Sequence, residues 1–230
     1  MKRLMTTNGA LDLARRLLDE HPDTILGNGY VGHLESVAKA AEGIVTTIHK
    51  KNPKIDYFLK REEVTLAAVL HDIGRVLDND QLFHELRGAK YVEENGLELG
   101  VAESKIDVYR IAQMFRPHFL VYEQFNDLEN VQARKEFEPL DSNLLVPRTW
   151  QEAIVTYSDL SVVDGERVSV EERIMDIEKR YSSDPKYMGN TSVMKSLEKG
   201  KTRLLKLAER IEKLEMGILS DAEIMQYGFL

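Results

Sequence analysis

The run Val64-Thr65-Leu66-Ala67-Ala68-Val69-Leu70 is apolar on nearly every side and ends in His71-Asp72-Ile73-Gly74. A helix of that composition has no face to give to water, so the rest of the chain must wrap it on all sides. An imidazole and a carboxylate at the end of such a helix are costly to bury unless something satisfies them. A metal ion does that well, and other side chains along the chain are placed to share it.

The surrounding sequence reads as helical throughout. Asn8 is a candidate cap for a first helix through Glu20, which Pro22 ends. A long helix is expected from about Tyr30 to Lys51, with His33, Val37, Ala41, Ile44, Val45 and Ile48 near one face. The buried helix is expected to end at Asp72, with Gly74 as its C-terminal cap. His84 opens a further helix, closed by Asn95-Gly96, and Glu103 to Phe115 forms the next, broken by Pro117. Residues 119–147 mix Phe119, Tyr122, Phe125 and Phe137 with many acids and two prolines, and read as an irregular, lid-like insertion. Its aromatics are suited either to stacking on a base or to filling core. Thr149-x-x-Glu152 and Ser169-x-x-Glu172 are capping boxes, the first opening a helix that carries Asp159, the second a helix through Tyr181. Asp184 to Asn190 reads as a loop. A last long helix is expected from about Ser192 to Met216, and Val193, Leu197, Gly200, Leu204, Leu207, Ile211, Leu214 and Ile218 recur four and three residues apart, a heptad seam that suits packing on the same domain or a homodimer. No strand signal emerges. The expected fold is all-α, with one helical domain over 1–185 and a C-terminal helical extension over 186–230.

Composition removes several classes of function. No apolar stretch reaches the roughly 18–20 residues that span a bilayer, so no membrane partner is expected. Met1 to Thr6 holds two basic residues with no apolar run after them, and the cytoplasm is the default expectation. The absence of cysteine rules out thiolate ligands and a thiol nucleophile. A net charge of −8 with no basic stripe argues against bulk nucleic acid as partner, while a small anion held by a few arginines is still accommodated. Gly27-Asn28-Gly29-Tyr30-Val31-Gly32 fits G-x-G-x-x-G, but it lacks the preceding strand and the acid some twenty residues on that dinucleotide binding requires. Its glycines are better read as a tight turn that lets His33 enter the core.

Of six histidines, His21 and His49 sit at polar helix ends, and four lie in or beside apolar helices: His33, His71, His84 and His118. Asp159, in Ala153-Ile154-Val155-Thr156-Tyr157-Ser158-Asp159-Leu160, is an acid on an apolar stretch. Singly, each has a plain structural explanation as a hydrogen-bonded core residue or a helix-end residue. Jointly they form the order His, His-Asp, His, His, Asp, and nothing structural requires four histidines there.

With these residues in place, the chain resembles the HD-domain superfamily of metal-dependent phosphohydrolases over roughly residues 28–181. His33 in Gly32-His33-Leu34-Glu35 looks like the first family histidine, His71-Asp72-Ile73-Gly74 like the defining doublet, and Asp159 like the terminal aspartate. His84-Glu85-Leu86-Arg87-Gly88-Ala89 resembles the helix start after the doublet, and His118 is placed like the fourth histidine of two-metal members. Asp164-Gly165-Glu166-Arg167-Val168-Ser169-Val170-Glu171-Glu172-Arg173, ending in Arg180-Tyr181, is similar to the segment that follows the last aspartate in some members. Where many members carry Lys, this chain has Arg75, which keeps the charge but cannot act as a proton donor.

Imidazole and carboxylate ligands suit Mn, Fe, Co, Ni or Zn, with Mg a weaker candidate. Four His and two Asp exceed one ordinary open site and suit two ions, as the resemblance also implies. His33, His71, Asp72 and Asp159 are assigned to the first and His84 and His118 to the second, with Asp72 as bridge. The expected activity is hydrolysis of a phosphate ester or anhydride of a small nucleotide-like molecule through a metal-bridging hydroxide. Asp72 and Arg75 are the catalytic candidates, and Arg75, Arg87 and Arg116 the phosphate-binding ones, each close in sequence to a ligand. Two alternatives stand beside this: a di-iron oxygenase, since the same ligands serve both chemistries, and a non-catalytic regulatory or dimerisation module.

Overall fold

In the computed structural model, residues 4–22, 24, 26, 27, 29–183 and 191–226 are described. The helices are α1 (Thr7–Glu20), α2 (Gly29–Lys51), α3 (Arg61–Leu70), α4 (Gly74–Leu77), α5 (His84–Asn95), α6 (Lys105–Phe115), α7 (Val121–Phe125), α8 (Val131–Arg134), α9 (Trp150–Leu160), α10 (Val170–Ser183), α11 (Thr191–Met216) and α12 (Asp221–Met225). The fold is all-α. A two-stranded antiparallel ribbon, β1 (Val162–Val163) with β2 (Glu166–Arg167), and an isolated antiparallel bridge between Leu4 and Ala102 are present among the described residues, and the ribbon corrects the expectation of no strand. Its turn, Asp164-Gly165, has φ of 48° and 86°. An Asp-Gly pair between two short extended runs is a hairpin signal that was present in the sequence.

α3 lies at the centre, packed by α1, α2, α6 and α9. That is why it is apolar all round: every residue from Val64 to Leu70 is buried. It ends at Leu70, not at Asp72, and His71 continues in helical conformation into the His71-Asp72-Ile73 turn. Gly74 is not a left-handed cap. It begins α4, and its missing side chain serves close packing: a Cβ there would stand 1.9 Å from the His84 carbonyl oxygen and 2.6 Å from the Gly88 nitrogen. The doublet and the start of α5 are therefore in backbone contact.

Caps account for the other starts. Thr6 rather than Asn8 caps α1, its hydroxyl accepting from the Gly9 N–H. Ser104 caps α6, two residues later than the expected start. Thr149 caps α9, and Ser169 and Glu172 form a reciprocal box at α10.

The aromatics of residues 119–147 divide between core and cleft. Phe125 and Phe137 pack edge-on against Phe83 at 5.8 Å between ring centroids, and with Leu86, Val121 and Leu145 they form a small second core. Phe119 alone of the aromatics there lines the main cleft described below. The heptad seam of α11 is spent within the chain: Leu197, Leu204, Leu207, Ile211 and Leu214 are buried in the main core, where α11 meets α2, α7, α9 and α10. A dimer through that face would need it vacated. The expected 184–190 loop, and the boundary drawn there, lie outside the described residues, as does Asn28 of the glycine-rich turn.

Candidate metal centre

Five structural elements bring the six candidate ligands together. His33 comes from the second turn of α2, His71 and Asp72 from the turn after α3, His84 from the first residue of α5, His118 from the break after α6, and Asp159 from the last turn of α9. Three sets of ligand atoms lie within 4.8 Å of one another: His33, His71 and Asp72; His71, His118 and Asp159; and Asp72, His84 and His118. Asp72 is at the middle. Its Oδ1 is 3.0 Å from His84 Nε2 and 3.4 Å from His118 Nε2. Its Oδ2 is 3.7 Å from His71 Nε2 and 4.0 Å from His33 Nε2. Asp159 Oδ1 is 3.1 Å from His33 Nε2 and 3.7 Å from His71 Nε2.

Three of the imidazoles are oriented in the same way. His71 Nδ1 meets the Ala68 carbonyl at 2.7 Å, His84 Nδ1 that of Gln81 at 2.9 Å, and His118 Nδ1 that of Phe115 at 2.9 Å. In each case the partner is three residues earlier, and Ala68 and Phe115 belong to helix ends whose last carbonyls lack an intrahelical donor. A donating Nδ1–H leaves Nε2 as a lone pair aimed at the centre. Lone pairs then face carboxylate oxygens across distances near 3 Å, an acceptor–acceptor arrangement that repels unless a cation or a proton lies between. His71 Nε2, Asp72 Oδ1 and His84 Nε2 are buried without a hydrogen-bond partner, which is what a metal-ligand set requires and a structural core does not tolerate. The donor set fits a divalent transition metal.

The electrostatics agree. Burial pushes Asp72 up, but Arg75, His71, His118 and His84 outweigh it and hold the carboxyl well below the usual range. Asp159 is likewise held well below it, burial being overcome by His33 and His71. Burial pulls His118 down, but Asp72, Glu85 and Asp159 push it up to about 9. In the absence of cations these acids recruit a proton onto His118.

Backbone strain marks the same place. Phe83 and Phe119, the residues just before His84 and just after His118, stand at φ of 60° and 52°. Bulky residues rarely adopt this conformation, and it clusters at functional sites. Phe83 is fixed by its buried ring, and the Phe119 carbonyl accepts from Arg203 Nη2 at 2.7 Å.

A cleft of about 700 Å³ opens onto the cluster, with His33, Asp72 and Asp159 at its floor. Arg75, Arg173 and Arg180 line it. Arg75 Nε donates to Asp72 Oδ2 at 2.6 Å and Nη1 to Gln81 Oε1 at 3.1 Å. Arg87 and Arg116, grouped with Arg75 by their closeness in sequence to ligands, are placed elsewhere. Arg87 donates to the Asp80 and Leu82 carbonyls, and Arg116 is buried in bonds to Glu93 and Gln113. Arg173 and Arg180, which the sequence places only within the family-like segment from Asp164 to Tyr181, are the arginines that share the cleft with Arg75. Tyr30, also in the cleft wall, fixes the doublet by donating to the Asp72 carbonyl at 2.9 Å. Glu85 is a further buried acid beside His84.

The profile of the HD domain matches residues 30–183. The chain belongs to the HD domain family. That family consists mostly of metal-dependent hydrolases, and this HD domain carries its His/Asp cluster at the floor of the cleft. Comparison with curated proteins and with solved structures finds no match. Among the described residues, no helix is long and apolar enough to cross a membrane.

Proposed function

We propose that this HD domain hydrolyses a phosphate ester or anhydride of a small nucleotide-like molecule at a two-metal site. One observation carries the proposal: the two oxygens of Asp72 face two different imidazole pairs, His33 with His71 and His84 with His118, beneath an arginine-lined cleft. His33, His71, Asp72 and Asp159 would hold one ion and Asp72, His84 and His118 the other. Two such ions supply Lewis-acid polarisation of a phosphoryl group and a more acidic water.

The chain's own residues do the positioning. The Nδ1–carbonyl bonds fix three rings in the ligating tautomer, and Arg75 holds the bridging carboxylate while presenting its charge to the cleft. With Asp72 and Asp159 engaged by the ions, the three arginines of the lining would favour an anionic substrate. A purified protein tested with Mn, Fe, Co, Ni or Mg should hydrolyse at least one nucleotide, cyclic nucleotide or dinucleoside polyphosphate. The activity should vanish on chelation and in Asp72→Ala. Absence of hydrolysis across that panel would overturn the proposal.

A further inference from the structure

We infer that Arg173 and Arg180 form a second phosphate subsite, and that the substrate is therefore a phosphoanhydride with two or more consecutive phosphates. The inference rests on the hydrolase reading and narrows it. Both arginines come from α10 and line the same cleft as the metal ligands. They are seven residues apart, nearly two helical turns, so they share a face and are offset by about 10 Å along the axis. Arg173 is the nearer one: its Nη2 stands 3.9 Å from Asp159 Oδ1.

Between them lies Asp176, which accepts from Arg173 Nη1 at 3.0 Å and pairs with Arg180 Nη2 at 2.8 Å. One carboxylate is thus shared by two guanidiniums, with Asp159 as the second and more distant partner of Arg173, and the pair is held in place. Such pairs within one helix contribute little to stability and do not explain why the arginines converge here. Nor does packing: the Nε of each is buried and makes no hydrogen bond. Two guanidiniums tethered at the wall of the cleft beside a metal-ligand cluster match the oxygens of an extended phosphate chain. A lone phosphoryl group engaged at Asp72 and Asp159 would leave Arg180 without a function.

In the implied reaction, a water oxygen bonds to the phosphorus seated at the metal ligands. The bond from that phosphorus to the bridging oxygen breaks, and its electron pair leaves with the terminal phosphate. The proton lost by water passes to solvent or to the released phosphate. Arg173 and Arg180 hold the leaving phosphate and offset the charge it gains.

The test compares wild type, Arg180→Gln and Arg173→Gln, each loaded with manganese. One arm measures kcat/KM for a nucleoside diphosphate and for p-nitrophenyl phosphate. The ratio of anhydride to monoester hydrolysis should fall at least tenfold in Arg180→Gln, and an unchanged ratio would overturn the subsite while leaving hydrolase activity intact. A second arm measures binding of inorganic pyrophosphate and inorganic phosphate by calorimetry. Wild type should prefer pyrophosphate by tenfold or more, and the preference should shrink in either variant. If wild type hydrolyses nothing, the hydrolase reading fails and this arm alone decides: a lost preference supports the subsite, and equal affinity for the two anions in wild type overturns it.

Discussion

Gly74→Ala couples packing to the metal centre and gives the sharpest test of how the fold builds it. A Cβ at position 74 would lie 1.9 Å from the His84 carbonyl oxygen, 2.6 Å from the Gly88 nitrogen and 2.8 Å from the His84 carbonyl carbon. All three are backbone atoms, so no side-chain rotation relieves the clash. To restore even a 3.0 Å approach, the first turn of α5 must retreat by about 1 Å. Overpacking of this kind costs about 1–3 kcal/mol. At roughly 2–4 °C per kcal/mol for a chain of this size, melting should fall by about 2–12 °C. His84 rides on that turn, and its Nε2 is 3.0 Å from Asp72 Oδ1. Moving it by about 1 Å should weaken the ion shared by Asp72, His84 and His118 by roughly 10–100-fold, the scale of a disturbed ligand shell. The ion at His33, His71, Asp72 and Asp159 should lose less affinity, because none of its ligands rides on α5. Thermal melts with and without added manganese, and metal counts after dialysis, read both effects. Gly88→Ala, whose Cβ would meet the Gly74 nitrogen at 2.9 Å, is the milder version should Gly74→Ala fail to fold. Gly43→Ala is the control: nothing lies within 4 Å of its Cβ on an exposed helix face, and stability should hold or rise slightly. A Gly74→Ala protein that melts with wild type and binds both ions normally would refute the reasoning.

Two further outcomes follow from the electrostatics. His118 has its pKa raised to about 9 from an ordinary 6.5, so its bound proton stabilises the metal-free protein below pH 6.5, and that contribution is lost as pH rises through about 9. A metal needs the same lone pair, so affinity should climb about tenfold per pH unit below pH 9 and one proton should be released; calorimetry in buffers of different ionisation heat checks this, and a buffer-independent, pH-flat affinity would refute it. Arg203 donates to Glu123 through Nε and Nη2, both at 2.8 Å, and also holds the strained Phe119 carbonyl. Arg203→Ala leaves Glu123 buried and unpaired, which should cost about 3 kcal/mol in urea unfolding, and a loss under 1 kcal/mol would show the pair to be idle.

The His/Asp cluster was legible in sequence because polar residues stand out against apolar helices. His71, Asp72 and Asp159 sit in runs that are otherwise hydrophobic, and α3 betrayed its central position by having no polar face. The cleft arginines were not legible. Closeness in sequence to a ligand says nothing about which side of the helix a long side chain takes. Arg87, three residues after His84, folds back onto the carbonyls of the preceding loop. Arg173, fourteen residues after Asp159, returns to it because the β1–β2 hairpin reverses the chain. Gly74 was visible as a glycine near a helix end, but its contact with Gly88 is tertiary and leaves no local periodicity. Residues 119–147 lacked a clear pattern because their core is small and shared with Phe83 and Leu86 from outside the segment.

Arg75 ties the metal ligands to the choice of substrate. A guanidinium stays protonated and cannot give a proton to a leaving group. Its Nε is occupied by Asp72 Oδ2 and its Nη1 by Gln81, so it acts as a fixed brace on the central carboxylate with its remaining edge toward the cleft. A lysine has three donors on one point and cannot reproduce that planar fork. An alkoxide leaving group needs a proton at the moment of bond cleavage, whereas a phosphate leaving group needs only its growing negative charge balanced. A cleft whose fixed cations are Arg75, Arg173 and Arg180 meets the second requirement directly, through charge already in place before the bond breaks. The permanently charged arginine at position 75 and the pairing of Arg173 with Arg180 across Asp176 therefore point to the same bond, the one between two phosphates.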